Sequence, residues 1–540
     1  MLVRVSTAAF AFVALVFIAS PIPHAAPATA PRLAMVIVVD QMRADYVDRF
    51  NDEWKGGLKR MAAEGAWYQQ AAYPYLTTVT CAGHATISTG SFPHTHGVFQ
   101  NAWWDREAKK QMSCTEDPSA RDFGYGVPVA GGDSAYRLQV PTFTDQMRSQ
   151  RGAHVVSLSL KDRSAIMLAG HGGDAVTWLS NGLDGWESSS VFADRPVPAV
   201  KRFIDANPIT ADFGKTWDRI LPVASYRGPD EGVGEAPPRG WSRSFPHVLK
   251  GTDGKPDATF FAQWERSPYA DAYLGRFAAA LVEAFQLGKH QGTDVLAVSF
   301  STPDLVGHAF GPRSHEVQDV YAHLDQTLGK LFDALDAQVG RGQWVAGLTA
   351  DHGVTAIPEQ LAAEGKDAGR IDGGAMVTAI EETLRPALGA GRHVTVLNTN
   401  DIYFEPGVYA KITKSKELMA KVLGAIEARP GVQRVFRSEQ VRGGANAKDP
   451  LLRAAALSYF PGRGGDIIFA TKPGWMISAS GTTHGSANPD DQHVPLMFVG
   501  AGIKPGKYQD AATPADLTPT LAAIAGMTMK VEGHALSCVQ

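Results

Sequence analysis

Short apolar runs recur along the chain, and most of them end abruptly in polar residues. MVIVV at 35–39 runs into Asp40, and AHVVSLSL at 153–160 into Lys161-Asp162-Arg163. DVLAVSF at 294–300 meets Ser301-Thr302-Pro303-Asp304, and QWVAGLTA at 343–350 meets Asp351-His352-Gly353. VPLMFVG at 494–500 instead follows His493. Continuous Val-rich runs of this length read as strands buried on both faces. Between them, 277–288 and 317–338 carry apolar residues at three- and four-residue spacing, the mark of amphipathic helices. A further helix is expected over 516–526, with Asp516 as N-cap, Pro519 in the first turn and Gly526 as the stop.

Strands alternating with helices imply an α/β fold, a three-layer sandwich around a largely parallel sheet. In such sheets ligands bind beyond the carboxyl ends of the strands. Asp40, Lys161, Arg163, Asp304, Asp351 and His352 all fall at that edge. Two stretches break the pattern. Residues 165–270, rich in Gly, Pro, Trp and charge, are expected to form an inserted cap. Residues 370–475 show a β-α-β pattern and are expected to form an accessory subdomain.

Bulk properties narrow the picture. The chain has 540 residues, enough for a large core, with 44% apolar and 20% charged residues. A formal net charge of −4 gives no electrostatic footprint for duplex nucleic acid or anionic membranes. Any anionic ligand must be held by a local site. Arg4, the apolar run at 8–19 and the Pro/Ala-rich stretch after it form a secretory leader pattern, expected over 1–28. The run is shorter than the ~20 residues of a membrane span. The mature protein, 29–540, is therefore expected to be exported, periplasmic or secreted, without stable membrane association. Cys81, Cys114 and Cys538 do not form a disulfide framework or a zinc-finger spacing. Cys81 and Cys114 are free to pair, and the sequence does not assign the pairing.

Asp304 and His308 are four apart, so a helical turn puts both on one face. Asp351-His352 follow a strand directly, Asp40 closes another, and His484 precedes the last. An Asp after a strand is most often a turn or cap residue. Three Asp and three His on one edge reverse that expectation and match the ligand set zinc favours.

VDQMRADY, TVTCAGHATISTG, PDLVGH, ADHG, THGS and DLTPTLAAIAG together resemble the alkaline phosphatase superfamily. KDRSA and FQNAWW bring the likeness closer to the bacterial, exported, phosphate-irrepressible members with a threonine nucleophile. The resemblance implies hydrolysis of small-molecule phosphate monoesters through a phosphothreonine on Thr80, with two Zn²⁺. Asp304, His308 and His484 would hold one ion. Asp40, Asp351, His352 and Thr80 itself would hold the other. Lys161, Arg163 and Asn101 would bind the phosphoryl oxygens. His493 is the alternative to His484, while His84, His94, His96 and His171 are expected to be packing or loop residues. An additional Ca²⁺ and the oligomeric state stay open.

Three rival readings fit parts of the same pattern. A nucleotide pyrophosphatase/phosphodiesterase would share the metals but lack the Lys161/Arg163 pair. A sulfatase would need C-x-P-x-R, where this chain has Cys81-Ala-Gly-His-Ala. A non-catalytic metal- or phosphate-binding envelope protein would tolerate a broken ligand set, and none is broken here.

Overall fold

The computed structural model of the protein describes residues 30–179 and 185–540; the expected leader over 1–28 lies outside them. The first sheet begins with strands β1 (Leu33–Val39), β2 (Ala66–Ala71), β3 (Asp122–Gly124), β4 (Val155–Ser159), β5 (Ala175–Leu179), β6 (Trp186–Ser189), β7 (Asp294–Phe300) and β8 (Trp344–Thr349), of which β1, β4, β5, β7 and β8 are fully buried, mostly apolar runs. A second sheet follows in the chain: β9 (Val394–Asn398), β10 (Asp401–Phe404), β11 (Val432–Arg437) and β12 (Ile467–Thr471). The chain then returns to the first sheet with β13 (Leu496–Gly500) and β14 (Gly506–Ala512).

The main sheet is ordered β14-β2-β13-β8-β1-β7-β4-β5-β6-β3. Its central five strands, β8-β1-β7-β4-β5, run parallel. Strand β13 runs antiparallel between β8 and β2. That reversal matters, because an antiparallel strand begins where its parallel neighbours end. The loop entering β13, which carries His484, therefore reaches the same edge as Asp40 and Asp351.

Helices cover both faces. They include α1 (Thr80–Thr89), α2 (Asp162–Ala169), α3 (Pro268–Ala284), α4 (Thr302–Phe310), α5 (His315–Leu335), α6 (Gly373–Leu388), α7 (Lys416–Glu427) and α8 (Leu517–Ile524). Along β1, side chains alternate between two cores. Leu33, Met35, Ile37 and Val39 pack with α3 and α5 residues such as Phe277 and Leu328. Ala34, Val36 and Val38 pack with Leu517 and Leu521 of α8, Ile87 of α1 and Leu168 of α2. Burial on both faces explains why these strands read as unbroken apolar runs.

The segment 165–270 differs from the expected cap at its start. It opens within α2 and contains β5 and β6, which extend the main sheet. Their short lengths, 5 and 4 residues, gave weak periodicity in the sequence. After β6 the segment becomes short helices and turns that dock on α5. There Trp217 Nε1 donates to Asp319 Oδ2 at 2.7 Å, and His247 Nε2 lies 2.9 Å from Glu316 Oε1. The second sheet, ordered β9-β10-β12-β11, packs with α6 and α7 around its own core of Met376, Ile380, Ile402, Val422 and Phe469.

Candidate functional site

Strand register brings the acidic residues together. Val38 pairs with Thr349, so Asp40 and Asp351, each two residues on, leave the sheet side by side. Val39 pairs with Phe300, the last residue of β7, and α4 begins two residues on at Thr302, which sets its Asp304 beside them. Ser299 pairs with Ser159, two residues before Lys161. All three aspartates are buried. Lys161 Nζ donates to Asp40 Oδ2 and to Asp304 Oδ2, both at 2.6 Å. The sequence pointed Lys161 at a ligand; here its ammonium is the counter-ion of two carboxylates.

The imidazoles complete the cluster. His308, one helical turn after Asp304, holds Nε2 3.1 Å from Asp304 Oδ1, and His484 Nε2 lies 3.7 Å from the same oxygen. His352 Nε2 is 3.3 Å from Asp351 Oδ2 and 3.6 Å from Asp40 Oδ1. Each outer nitrogen is tied to a backbone carbonyl: His308 Nδ1 to Thr482 at 2.8 Å, His352 Nδ1 to Gly353 at 3.0 Å, and His484 Nδ1 to Thr78 at 2.8 Å. Those bonds place the proton on Nδ1 and turn the Nε2 lone pairs into the cluster, the arrangement metal-binding histidines use. His493 is exposed and stands outside the cluster, so His484 is the histidine brought in.

Ligand atoms of Asp40, Asp351 and His352 lie within 4.8 Å of one another, as do those of Asp304, His352 and His484. The second trio differs from the expected set in taking His352 where the sequence suggested His308, though His308 Nε2 also contacts Asp304. Asp40 Oδ1 and Asp351 Oδ2 are buried with no hydrogen-bond partner. A buried carboxylate oxygen without a partner is costly, and a divalent cation would satisfy both. The donor set, three carboxylates and three imidazoles, fits such a cation.

Electrostatics agree with that fit. Burial, followed by the nearby charges of Asp304 and Asp351, pushes Asp40 well above the usual carboxylate range. Burial would raise Asp304 too, but His308 and Lys161 hold it well below that range. Burial also lowers His352 and, more strongly, His484, which favours neutral imidazoles with free lone pairs.

Thr80 opens α1 after the extended Val79, and its Oγ lies 3.5 Å from His352 Nε2, at the residue the two trios share. A helix N-terminus favours negative charge, so an oxyanion beside Thr80 is stabilised by the backbone as well. Cys81 and Cys114 form a disulfide, and Cys538 is free and buried. Both half-cystines also grip Asn101: its Oδ1 accepts from the Cys81 amide at 2.8 Å and its carbonyl from the Cys114 amide at 2.9 Å. Asn101, His308 and His484 line one cavity of about 320 Å³. Arg163 sits in the first turn of α2, with Nη1 3.3 Å from Asp162 Oδ1 and a buried Nε that has no partner.

Two neighbours of the cluster were not anticipated. His84, expected to be a packing residue, lies with Nδ1 2.9 Å from the Thr80 carbonyl and 3.4 Å from Asp351 Oδ2. Its only sequence signal was the spacing of four from Thr80 in TCAGH. Gln41 gave no signal at all. It adopts φ 68°, unusual for a non-glycine residue, and is buried. From there its amide nitrogen donates to Asp351 Oδ1 at 3.1 Å, and its Nε2 donates to Asp304 Oδ1 at 2.6 Å. Gly307 makes room for it, since a Cβ there would meet Gln41 Oε1 at 1.8 Å.

Gln41→Gly should relieve the left-handed backbone, worth roughly 1–2 kcal/mol, while freeing Asp304 to turn. Affinity for divalent metal, measured by competition with a chelator, is expected to fall about 10- to 100-fold, with thermal stability near wild type. Unchanged metal affinity would show that the side chain does not position Asp304.

Comparison with known proteins gives a consistent result. Residues 34–493 match the family of type I phosphodiesterases / nucleotide pyrophosphatases. Alkaline phosphatase PhoV of Synechococcus elongatus is 30% identical over 514 residues, spanning 92% of this chain and 90% of that protein. Alkaline phosphatase PhoK of a Sphingomonas species is 32% identical, spanning 95% and 92%. The crystal structure of wild-type alkaline phosphatase PafA superposes with a TM-score of 0.86 at 29% identity, covering 96% of this chain and all of that one.

Proposed function

The chain belongs to the type I phosphodiesterase / nucleotide pyrophosphatase family, and from that premise we propose that it is an exported, zinc-dependent alkaline phosphatase acting through a phosphothreonine on Thr80. The observation that carries this reading is the position of Thr80 Oγ: first residue of a buried helix, at the junction of two carboxylate–imidazole trios. Relatives named alkaline phosphatase, matched over more than nine-tenths of the chain, support the monoesterase assignment. No helix among the described residues is long and apolar enough to cross a membrane.

Asp304, His308 and His484 would hold one zinc ion, and Asp40, Asp351, His352 and Thr80 the other. Two such ions, when bound, supply Lewis-acid stabilisation of the charge on the attacking and leaving oxygens of an in-line displacement. The residues of the chain do the rest. Thr80 Oγ loses its proton to solvent water and bonds to phosphorus as the ester P–O bond breaks, and the leaving alkoxide takes a proton from water to depart as the alcohol. Water then adds to phosphorus as the Thr80 Oγ–P bond breaks, its proton restores the Thr80 hydroxyl, and inorganic phosphate is released. The N-terminus of α1 holds the dianionic group next to the nucleophile. Arg163 and Asn101 bind non-bridging oxygens, over which the charge spreads in the loose transition state, and Lys161 would join them once Asp40 and Asp304, which hold its ammonium here, ligate metal instead. The Asn101 side-chain Oδ1 already accepts from the Cys81 amide, which leaves its Nδ2 as the donor.

A phosphodiester replaces one of those charged oxygens by a second ester group, so a cationic clamp rewards monoesters. Arg163→Ala is therefore expected to lower kcat/KM for an aryl phosphate by about 10²- to 10³-fold, and for a bis-aryl phosphate by less than about tenfold. Equal losses on the two substrates, or a wild-type preference for the diester, would favour the phosphodiesterase reading.

A further inference from the structure

The cavity of about 320 Å³ beside the cluster touches only one of its two sides. His308 and His484 line it, with Asn101 and Val79, whereas Asp40, Asp351 and His352 do not. In an in-line displacement the leaving oxygen departs opposite the nucleophile. A cavity that meets the cluster through His308 and His484 is therefore on the leaving-group side. Its far wall comes from the second sheet and the strand-like segment after it: Thr399, Asn400, Trp475, Met476 and Ile477.

Three features give that wall a chemical character. It contains no lysine or arginine, so an anionic leaving group gains no counter-charge there. Trp475 is seated deliberately: its Nε1 donates to Asp367 Oδ1 at 3.0 Å, and a Cβ on Gly431 would collide with the indole at 2.3 Å. Thr399, β-branched, occupies φ 52° in the turn joining β9 to β10, where hairpins favour glycine. Its methyl lies against Gly485, next to His484, within 3.5 Å of where a Cβ there would sit. Strain of this kind persists where the surroundings require the side chain.

We propose that this cavity is the leaving-group site and that it selects monoesters of flat, uncharged alcohols, namely aryl and nucleoside phosphates. The inference rests on the phosphatase reading above. The volume is at the small end of ligand pockets, which run from roughly 300 to 1,000 Å³: it takes a ring system with a sugar, not a polymer. An aromatic ring entering beside Trp475 stacks on the indole or meets it edge-on.

The test compares phenyl phosphate, adenosine 5′-monophosphate, glycerol 3-phosphate and pyrophosphate in the zinc-loaded enzyme. Trp475→Ala is expected to lower kcat/KM for the first two by about 10- to 100-fold, mainly through KM, the range a lost aromatic stack produces. The values for glycerol 3-phosphate and pyrophosphate should change by less than about threefold. Thr399→Gly, which relieves strain and opens the wall, should keep the thermal stability and narrow the gap between adenosine 5′-monophosphate and glycerol 3-phosphate. Adenosine alone should inhibit the wild type competitively, a readout that does not depend on either variant folding. Equal losses on all four substrates, no loss on any, or no inhibition by adenosine would overturn the inference. Failure of the wild type to hydrolyse any monoester would instead overturn the phosphatase reading, and binding of adenosine measured by calorimetry would still test the cavity.

Discussion

Thr80→Ala is expected to abolish covalent labelling of the chain by phosphate and to lower kcat by at least about 10³-fold, the scale on which loss of a nucleophile acts. Thr80 is buried, and its methyl-bearing side chain fills space at the start of α1. Alanine there removes the hydroxyl together with one methyl group, a small loss of volume, so the fold should be retained. Thr77 and Thr78 do not substitute for it, because each is already engaged: the Thr78 hydroxyl donates to the Ser486 carbonyl at 2.9 Å, and Thr77 faces Asn400. Acid-quench trapping with a ³²P-labelled monoester reads the intermediate directly. Thr80→Ser should keep labelling, since the oxygen and the helix terminus remain. Persistent labelling of Thr80→Ala would move the nucleophile elsewhere and undo the proposed mechanism.

Chelation should have an effect of the same order. Stripping divalent metal is expected to remove activity by ~10³-fold or more, with recovery on adding zinc back at about two ions per chain. It should also destabilise the fold. Asp40, Asp304 and Asp351 are buried within one cluster, and Asp40 Oδ1 and Asp351 Oδ2 have no hydrogen-bond partner. Ions that bind only the folded state add about 4 kcal/mol when free metal is 1,000 times its Kd, and calorimetry should show the melting temperature fall on chelation. Activity that survives exhaustive chelation, or a metal content well below two per chain, would sink the two-metal reading. The same chelated protein is the right background for Gln41→Gly, because the two changes act on Asp304 from different sides.

Much of this site could be read from the sequence because its logic is local or periodic. A buried parallel strand announces itself by an unbroken apolar run, and the residue after it must emerge at the carboxyl edge. That places Asp40, Lys161, Asp304 and Asp351 on one edge before any packing is known. Spacing of four in PDLVGH puts Asp304 and His308 on one helical face by the geometry of a single turn. What this reasoning could not reach are contacts set by distant partners. Lys161 turned out to neutralise Asp40 and Asp304, residues 121 and 143 positions away. Gln41 needed a left-handed backbone and a glycine at 307, neither of which leaves a periodic trace.

Sequence alone thus determined the α/β class, the edge that carries the chemistry and the candidate carboxylate–imidazole set, because each follows from local periodicity or short spacing; Thr80 was singled out by the resemblance of its motif to the alkaline phosphatase superfamily. Tertiary structure decided the rest. The reversal of β13 brought the loop of His484, and not His493, to the cluster. Register set which carboxylates face each other, and folding of the 370–475 segment placed Trp475 and Thr399 beside the reacting edge. Those outcomes depend on how elements hundreds of residues apart pack, and packing is a property of surfaces in contact that no stretch of chain carries by itself.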